Sequence, residues 1–134
     1  MVDGKEITVV SLHIDWNCKE RRAVQLRELV NFAKEQEYCI VMGDFNPEDY
    51  INGVEISKNL FYKEELALFA EIGMSYANAG EFGTFDTILA DDASLCGPWD
   101  NILVTPNIKL VSAERVALDW MNDHAIVVAE MEIN

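Results

Sequence analysis

The chain has 134 residues, of which half are hydrophobic, and its formal net charge is −14 at pH 7. A chain of this length and apolar content is expected to fold as a single domain over residues 1–134 and is not expected to be disordered. The excess of acidic residues, 24 against 10 basic ones, repels a phosphate backbone and disfavours tight non-specific binding to nucleic acid, although a metal ion can bridge an acidic site to a phosphate.

The cellular compartment and the chemical state of the cysteines can be predicted from simple sequence patterns. The amino terminus is charged and lacks the apolar region of a signal peptide, and no segment has the length of a transmembrane helix. We expect a soluble, cytoplasmic protein with no membrane partner, or a piece of a longer chain that once carried a signal. Cys18, Cys39 and Cys96 are odd in number and form no C-x-x-C pair, which argues against disulfides or structural zinc.

The first part of the chain predicts two strands joined by a helix. Residues 7–14 and residues 38–42 are apolar and rich in β-branched or other strand-forming residues, which is typical of buried strands. A strand, a helix and a strand in this order predict a crossover unit with parallel strands.

The helix between these strands is predicted from the helical spacing of its apolar residues, up to about residue 36. Asn17 followed by Glu20 resembles a capping box and predicts where the helix begins. The charged residues, Arg22 among them, are expected on the solvated face.

A polar motif follows the second strand, where Gly43-Asp44-Phe45-Asn46 leads into a proline. Ligands in α/β sheets bind beyond the carboxyl ends of strands, so Asp44 and Asn46 lie where a site is expected. A carboxylate and an amide can hold a divalent metal, a water or a phosphate oxygen. The alternative is an ordinary strand followed by an Asx-turn.

The rest of the chain predicts one more helix and three more strands. The helix covers residues 61–72 and is followed by Gly73, which suits a left-handed position after a helix. The strands cover residues 99–104, residues 108–116 and the apolar stretch that ends at residue 133. The near-alternation of residues 108–116 suits an antiparallel neighbour.

Four polar residues near strand ends are candidates for function. Asp100 opens a strand beside a tryptophan, and a buried aspartate needs a partner. Asp123 precedes His124, and a neighbouring carboxylate can orient an imidazole for acid–base work, although an ordinary loop is an equal alternative. His13 is usually a structural residue in such a place and becomes a candidate ligand only if it converges with Asp44.

Taken in order, these motifs resemble the exonuclease–endonuclease–phosphatase family, which has the deoxyribonuclease-I-like fold. The resemblance rests on V-S-L-H ending at His13, G-D-F-N, Gly83-Thr84-Phe85, W-D-N-I-L-V and the final D-H before an apolar strand. It implies an α+β fold (an α/β sandwich) with one mixed β-sheet and helices on one face, which is half of a four-layer sandwich.

The resemblance also implies a metal-dependent phosphoesterase of the nuclease or phosphatase type, with Mg²⁺ or Mn²⁺ and a phosphate-ester substrate. Asp44 would position or activate the attacking water, Asn46 would bind the phosphate and orient Asp44, and His13 would contact the phosphate. Asp123 would orient His124, which would act on the scissile phosphate. The implied metal ligands are Asp44, Asn46, Asp100 and Asp123.

Family members are much longer than this chain, which resembles only their C-terminal half. The other half carries an asparagine and the glutamate that resembles the principal metal ligand. We therefore expect an apolar sheet face that a second copy, in a homodimer, or a separate N-terminal half would cover. The alternatives are a non-catalytic relative that self-associates or binds a partner, and an unrelated acidic α/β binding module with these residues scattered.

Overall fold

The computed structural model describes residues 1–46, 60–78, 83–84, 99–116 and 123–134. The predicted Phe85 of the Gly83-Thr84-Phe85 motif lies outside these residues. In chain order, the helices and strands of the described residues are β1 (Thr8–His13), α1 (Lys19–Lys34), β2 (Cys39–Asp44), α2 (Leu60–Ala70), β3 (Ser75–Tyr76), β4 (Asp100–Val104), β5 (Ile108–Val116) and β6 (Ile126–Ile133).

Four of these strands form a mixed sheet in the order β1-β2-β4-β3. β1 and β2 are parallel, as the strand–helix–strand pattern predicts, and β4 runs antiparallel to both of its neighbours. The register pairs His13 with Asp44 and Asp44 with Asp100. Three of the predicted polar residues therefore lie side by side at one end of the sheet.

The two helices cover one face of this sheet, which confirms the predicted α+β arrangement. Their apolar residues pack against the inward residues of β2 and β4, and Val41 and Leu103 are completely buried there. Phe45 and Phe69 meet edge to face in the same cluster, with ring centroids 6.0 Å apart. The hydrophobic core on this face of the sheet is therefore well buried.

The other face of the sheet is covered by β5 and β6, which pair antiparallel to each other with a bulge between Leu110 and Ser112. Their inward residues pack on Ile102 and Val104 of β4 and on Ile40 and Met42 of β2. Val9 of β1 is on the same face and is 56% exposed. The sheet face that the sequence predicts to be uncovered is therefore covered by β5 and β6 above β4, and it is exposed above β1.

The start of α1 differs from the prediction. The residue before the helix is Cys18, whose side chain makes no capping hydrogen bond, so the Asn17–Glu20 capping box is wrong. The Asp15 carboxylate instead accepts the backbone N–H groups of Asn17 and Cys18, at 2.8 and 3.0 Å. Asp15 thus fixes the turn that leads into the helix, and it pairs the Cys18 N–H, one of the donors that a helix start leaves without a partner in the helix.

Arg22 was expected on the solvated face of α1, and the structure shows it completely buried. Its Nε donates to Oε1 of Glu65 at 3.0 Å, and its Nη1 donates to the backbone oxygen of Asp15 at 3.3 Å. A buried cation needs such partners. Arg22 thus ties α1 to α2 and to the loop after β1.

The end of α2 agrees with the sequence. Gly73 has φ +79°, the left-handed conformation that glycine adopts easily. The two-residue strand β3 was not predicted. No helix in the described ranges is long and apolar enough to cross a membrane.

Candidate active site

Three side chains converge at the end of the four-stranded sheet. Asp44 ends β2, Asp100 begins β4, and His124 lies two residues before β6. Each offers one potential ligand atom, and these atoms all lie within 4.8 Å of one another. The convergence brings together residues from three separate parts of the chain.

Asp44 is held by the turn that follows it. The backbone N–H of Asn46 donates to Oδ1 of Asp44 at 2.7 Å, and Asn46 has φ +42°, which asparagine tolerates better than most residues. The side chain of Asp44 is 12% exposed. Burial raises the pKa of Asp44, and the Asp100 carboxylate acts in the same direction, whereas the Asn46 bond and the two histidines oppose the shift.

Gly43 allows β1 and β2 to come together beside Asp44. Its φ is +137°, and a Cβ at this position would overlap the backbone oxygen of Leu12. Only glycine fits there without moving β1 away from β2. The pairing of His13 with Asp44 depends on this close approach.

Asp100 and His124 form the second contact of the site. Nδ1 of His124 lies 2.8 Å from Oδ2 of Asp100. Because an ionised carboxylate can only accept, this contact puts the proton on Nδ1 and leaves the lone pair on Nε2. The ring of Trp99 stands against the His124 ring, with centroids 6.3 Å apart.

Thr84 positions both of these residues. It is completely buried, its Oγ1 accepts the backbone N–H of Asp100 at 2.9 Å, and its carbonyl accepts the N–H of Ala125 at 2.7 Å. One residue therefore connects the start of β4 to the residue after His124. In the sequence, Thr84 is only one residue of the Gly83-Thr84-Phe85 motif, and no role is predicted for it.

His13 lies at the margin of the site. Its Nε2 is 3.7 Å from Oδ2 of Asp44, and its side chain is 72% exposed. His13 lies near Asp44 but is not among the converging potential ligands of the described residues, and its role stays a prediction. An exposed imidazole at this place can approach a substrate from solvent.

Asn46 and Asp123 occupy different positions from the central three residues. Asn46 is buried, and its Nδ2 donates to the backbone oxygen of Ile14 at 2.9 Å. Asp123 is exposed and is not part of the cluster of potential ligands found among the described residues. The carboxylate in contact with His124 is Asp100, and the orienting role expected of Asp123 stays a prediction.

The residues present fit a divalent cation. Carboxylate oxygens are the preferred ligands of Mg²⁺ and Mn²⁺, and an imidazole suits Mn²⁺ as well. Asp44 and Asp100 place two carboxylates next to each other, an arrangement that a cation stabilises. The chain supplies three ligand atoms, fewer than the six or so that such ions take.

Comparison with solved structures identifies the fold of the chain. The chain has the fold of endonuclease/exonuclease/phosphatase structures, as the sequence resemblance implies. The endonuclease/exonuclease/phosphatase from Bacteroides vulgatus matches with a TM-score of 0.67 and 25% identity over 91% of this chain and 48% of its own.

Two further matches have more specific descriptions. The 3′ phosphatase NExo from Neisseria, bound to a product DNA hairpin, matches with a TM-score of 0.66 and 17% identity, over 92% of this chain and 60% of its own. A mannosyl-6-phosphatase from Bacteroides thetaiotaomicron matches with a TM-score of 0.62 and 18% identity, over 98% of this chain and 53% of its own.

The chain spans only between 36% and 60% of the length of such solved structures. No family model and no curated protein matches the sequence.

Proposed function

We propose that this chain carries the catalytic residues of a metal-dependent phosphoesterase, which hydrolyses a phosphodiester or a phosphomonoester. The observation that carries the proposal is the convergence of Asp44, Asp100 and His124 at one end of the sheet. The fold supports the same class of activity, because the described neighbours include phosphatases.

The charge of the site supports metal dependence. Asp44 and Asp100 are adjacent carboxylates, and a phosphate ester brings further negative charge to the same place. Without a cation these charges repel one another. Bound Mg²⁺ or Mn²⁺, held by Asp44 and Asp100 with Asn46 and Asp123 as expected further ligands, would neutralise charge that develops on the phosphate oxygens.

Asp44 is suited to act on the attacking water. Its carboxylate is fixed by the Asn46 N–H and is largely buried, and its pKa is raised by that burial. A buried carboxylate in a fixed orientation can hold a water molecule in line with the phosphorus atom. Asp44 orients the water and accepts its proton as oxygen attacks phosphorus.

His124 and His13 are suited to contact the phosphate. Asp100 holds the His124 ring through Nδ1 at 2.8 Å, which leaves Nε2 for the substrate. When it carries a proton on Nε2, His124 donates it to the scissile phosphate or to the leaving oxygen. His13, which is exposed beside Asp44, contacts a second phosphate oxygen.

The substrate that we propose is a phosphate ester, and from these residues alone we assign no identity to the group that is esterified to the phosphate. The net charge of −14 favours a small ester over a long nucleic acid. The non-catalytic alternative predicts no turnover, and the contact between His124 and Asp100 argues against it, because folding alone does not require that these residues meet Asp44.

The test is hydrolysis of a chromogenic phosphodiester and a chromogenic phosphomonoester with Mg²⁺, with Mn²⁺ and with a chelator. Asp44→Asn keeps the shape of the side chain and removes its charge, and we expect turnover to fall by about 10²- to 10⁴-fold. Asp3→Asn is the matched control, because Asp3 is exposed and its φ of +50° also suits asparagine. Equal turnover in the wild type and Asp44→Asn would contradict the proposal.

A further inference from the structure

We propose that Trp16 is a stacking platform for a nucleobase, and that the ester hydrolysed at the neighbouring site is a nucleotide or a short oligonucleotide. The substrate class rests on the proposed function, because the site supplies the phosphate chemistry. The stacking contact itself concerns binding, and a binding experiment tests it.

Trp16 exposes a large apolar surface. It is 69% exposed, and among the large hydrophobic residues in the described ranges only the terminal Met1 exposes a larger fraction. By contrast, Trp99 is half-buried, and its ring lies against His124 with centroids 6.3 Å apart. Covering an indole with a flat ligand removes apolar area from water, which is favourable. Trp16 is therefore available to a ligand, whereas Trp99 already contacts a residue of the site.

The loop that carries Trp16 is bonded to the turn that holds Asp44. The N–H of Ile14 donates to the backbone oxygen of Asp44 at 2.9 Å, and Nδ2 of Asn46 donates to the backbone oxygen of Ile14 at 2.9 Å. Trp16 comes two residues after Ile14, so their Cα atoms are at most about 7 Å apart. Trp16 therefore lies at the margin of the candidate active site, where it can meet the group esterified to a phosphate.

Hydrogen bonds to Asp15 hold this loop in place. Its Oδ1 accepts the N–H groups of Asn17 and Cys18 at 2.8 and 3.0 Å. Its Oδ2 accepts Nε of Arg21 at 2.6 Å, and its own N–H donates to Oε1 of Gln25 at 3.0 Å. A platform that is already ordered loses little conformational entropy when a ligand binds.

The chemistry of the loop favours a nucleobase over a sugar. The hydroxyl groups of a sugar lose water on binding and need hydrogen-bond partners. Both oxygens of Asp15, the carboxylate next to Trp16, are already engaged within the loop and the first turn of α1. A nucleobase needs only a flat face, and stacking on an aromatic side chain raises affinity by about tenfold.

The charge around Trp16 is compatible with an anionic ligand. Arg21 pairs with Asp15, and Lys19 stands next to Glu20, so two positive and two negative side chains balance. The start of α1 adds the positive end of the helix dipole. In a chain of net charge −14, a nucleotide is repelled less here than by the acidic remainder of the surface.

The test compares two probes, adenosine 5′-monophosphate and ribose 5-phosphate, which differ by the base. Calorimetry with the full chain and a chelator measures binding without metal-dependent turnover. We expect the nucleotide to bind about tenfold more tightly than the sugar phosphate. Equal affinities for the two probes, or binding of neither, would overturn the proposal.

Exposed aromatic residues at the two ends of α1 supply matched variants. Trp16→Ala should weaken nucleotide binding about tenfold and leave the sugar phosphate unaffected, and Trp16→Phe should keep most of the affinity. Phe32→Ala is the control, because Phe32 is 46% exposed and lies near the other end of α1, about 20 Å along the helix. Equal effects of Trp16→Ala and Phe32→Ala, or weaker binding of both probes to Trp16→Ala, would overturn the proposal. Thermal unfolding verifies that each variant folds.

Indole fluorescence supplies a signature that a structural role would not give. Stacking of adenine on Trp16 should quench the fluorescence of the wild type. The quenching should disappear in Trp16→Phe, which keeps Trp99 and Trp120. Quenching that persists in this variant would place the base elsewhere and overturn the proposal.

Turnover separates this inference from the proposed function. With Mg²⁺, Trp16→Ala should raise KM for a nucleotide substrate about tenfold and leave kcat unchanged. If Trp16 binds the base and no ester is hydrolysed, the proposed function and the substrate class fail together, and the stacking contact stands. If esters are hydrolysed and the two probes bind equally, the proposed function stands and the stacking contact is wrong.

Discussion

The two faces of the four-stranded sheet are built to different degrees of completion. On the helix-covered face, Val41 and Leu103 are completely buried, and even the charged Arg22 is enclosed with its partner. On the face that carries β5 and β6, burial stops partway, and Val9 is 56% exposed. The candidate active site lies at the end of the less complete face.

The largest expected loss of stability comes from the junction of β1 and β2. Gly43→Ala places a Cβ against the backbone oxygen of Leu12, at a φ of +137°. Because backbone must move, we expect a cost of about 4 kcal/mol. Denaturant unfolding measures it. A cost below about 1 kcal/mol, of the size seen at unconstrained glycines, would show that β1 and β2 are not held this closely.

The next largest loss of stability is expected at the ion pair between Arg22 and Glu65 on the helix-covered face. Arg22→Ala breaks the ion pair between the buried guanidinium and Glu65, and we expect a loss of about 3 kcal/mol. Arg21→Ala is the matched control, because Arg21 is 63% exposed in its pair with Asp15 and its removal should cost much less stability. Similar losses in the two variants would show that Arg22 is not enclosed.

A pair of valines compares the two faces directly. Val41→Ala removes completely buried methyl groups between the helices and the sheet, and should cost about 2 kcal/mol. Val9→Ala on the open face should cost about 0.5 kcal/mol, mainly through strand propensity. If the two substitutions cost the same in the isolated chain, the open face is covered in solution.

The smallest expected effect is a dependence of stability on pH. The N–H of Asn17 and the guanidinium of Arg21 hold the pKa of Asp15 below its usual value. The stabilisation is therefore present above the ordinary carboxyl pKa of about 4 and is lost as the pH falls through the lowered value. The stability difference between the wild type and Asp15→Asn should shrink below that pH. A difference that grows with acidity would reverse the assignment.

Much of the fold could be predicted because its strands and helices carry strong local patterns. The apolar runs around Val10 and Val41 and the alternation in β5 predict strands, and the structure confirms them. β3 could not be predicted, because a strand of two residues is too short to show an alternating hydrophobic pattern. It forms through its pairing with β4. Arg22 was misplaced because a charge in a helix ordinarily indicates solvent.

The candidate site could be predicted in part. Asp44, Asp100 and His124 were each marked by a polar residue at the end of an apolar strand. Their contacts could not be read from the sequence, and the partner expected for His124 was its neighbour Asp123, whereas Asp100 makes the contact from 24 positions away. Thr84 carried no signal of its own, because its role depends on β4 and β6 meeting at one place.

The most direct test of the central claim is the affinity of the wild type, Asp44→Asn and Asp3→Asn for Mn²⁺. Binding is measured through the change in water proton relaxation that the bound ion causes. If Asp44 and Asp100 hold the metal, the wild type and Asp3→Asn should bind one equivalent with the same affinity, and Asp44→Asn should bind at least about tenfold more weakly. Equal affinity in all three proteins would mean that the ion binds elsewhere on the acidic surface, and would contradict the account.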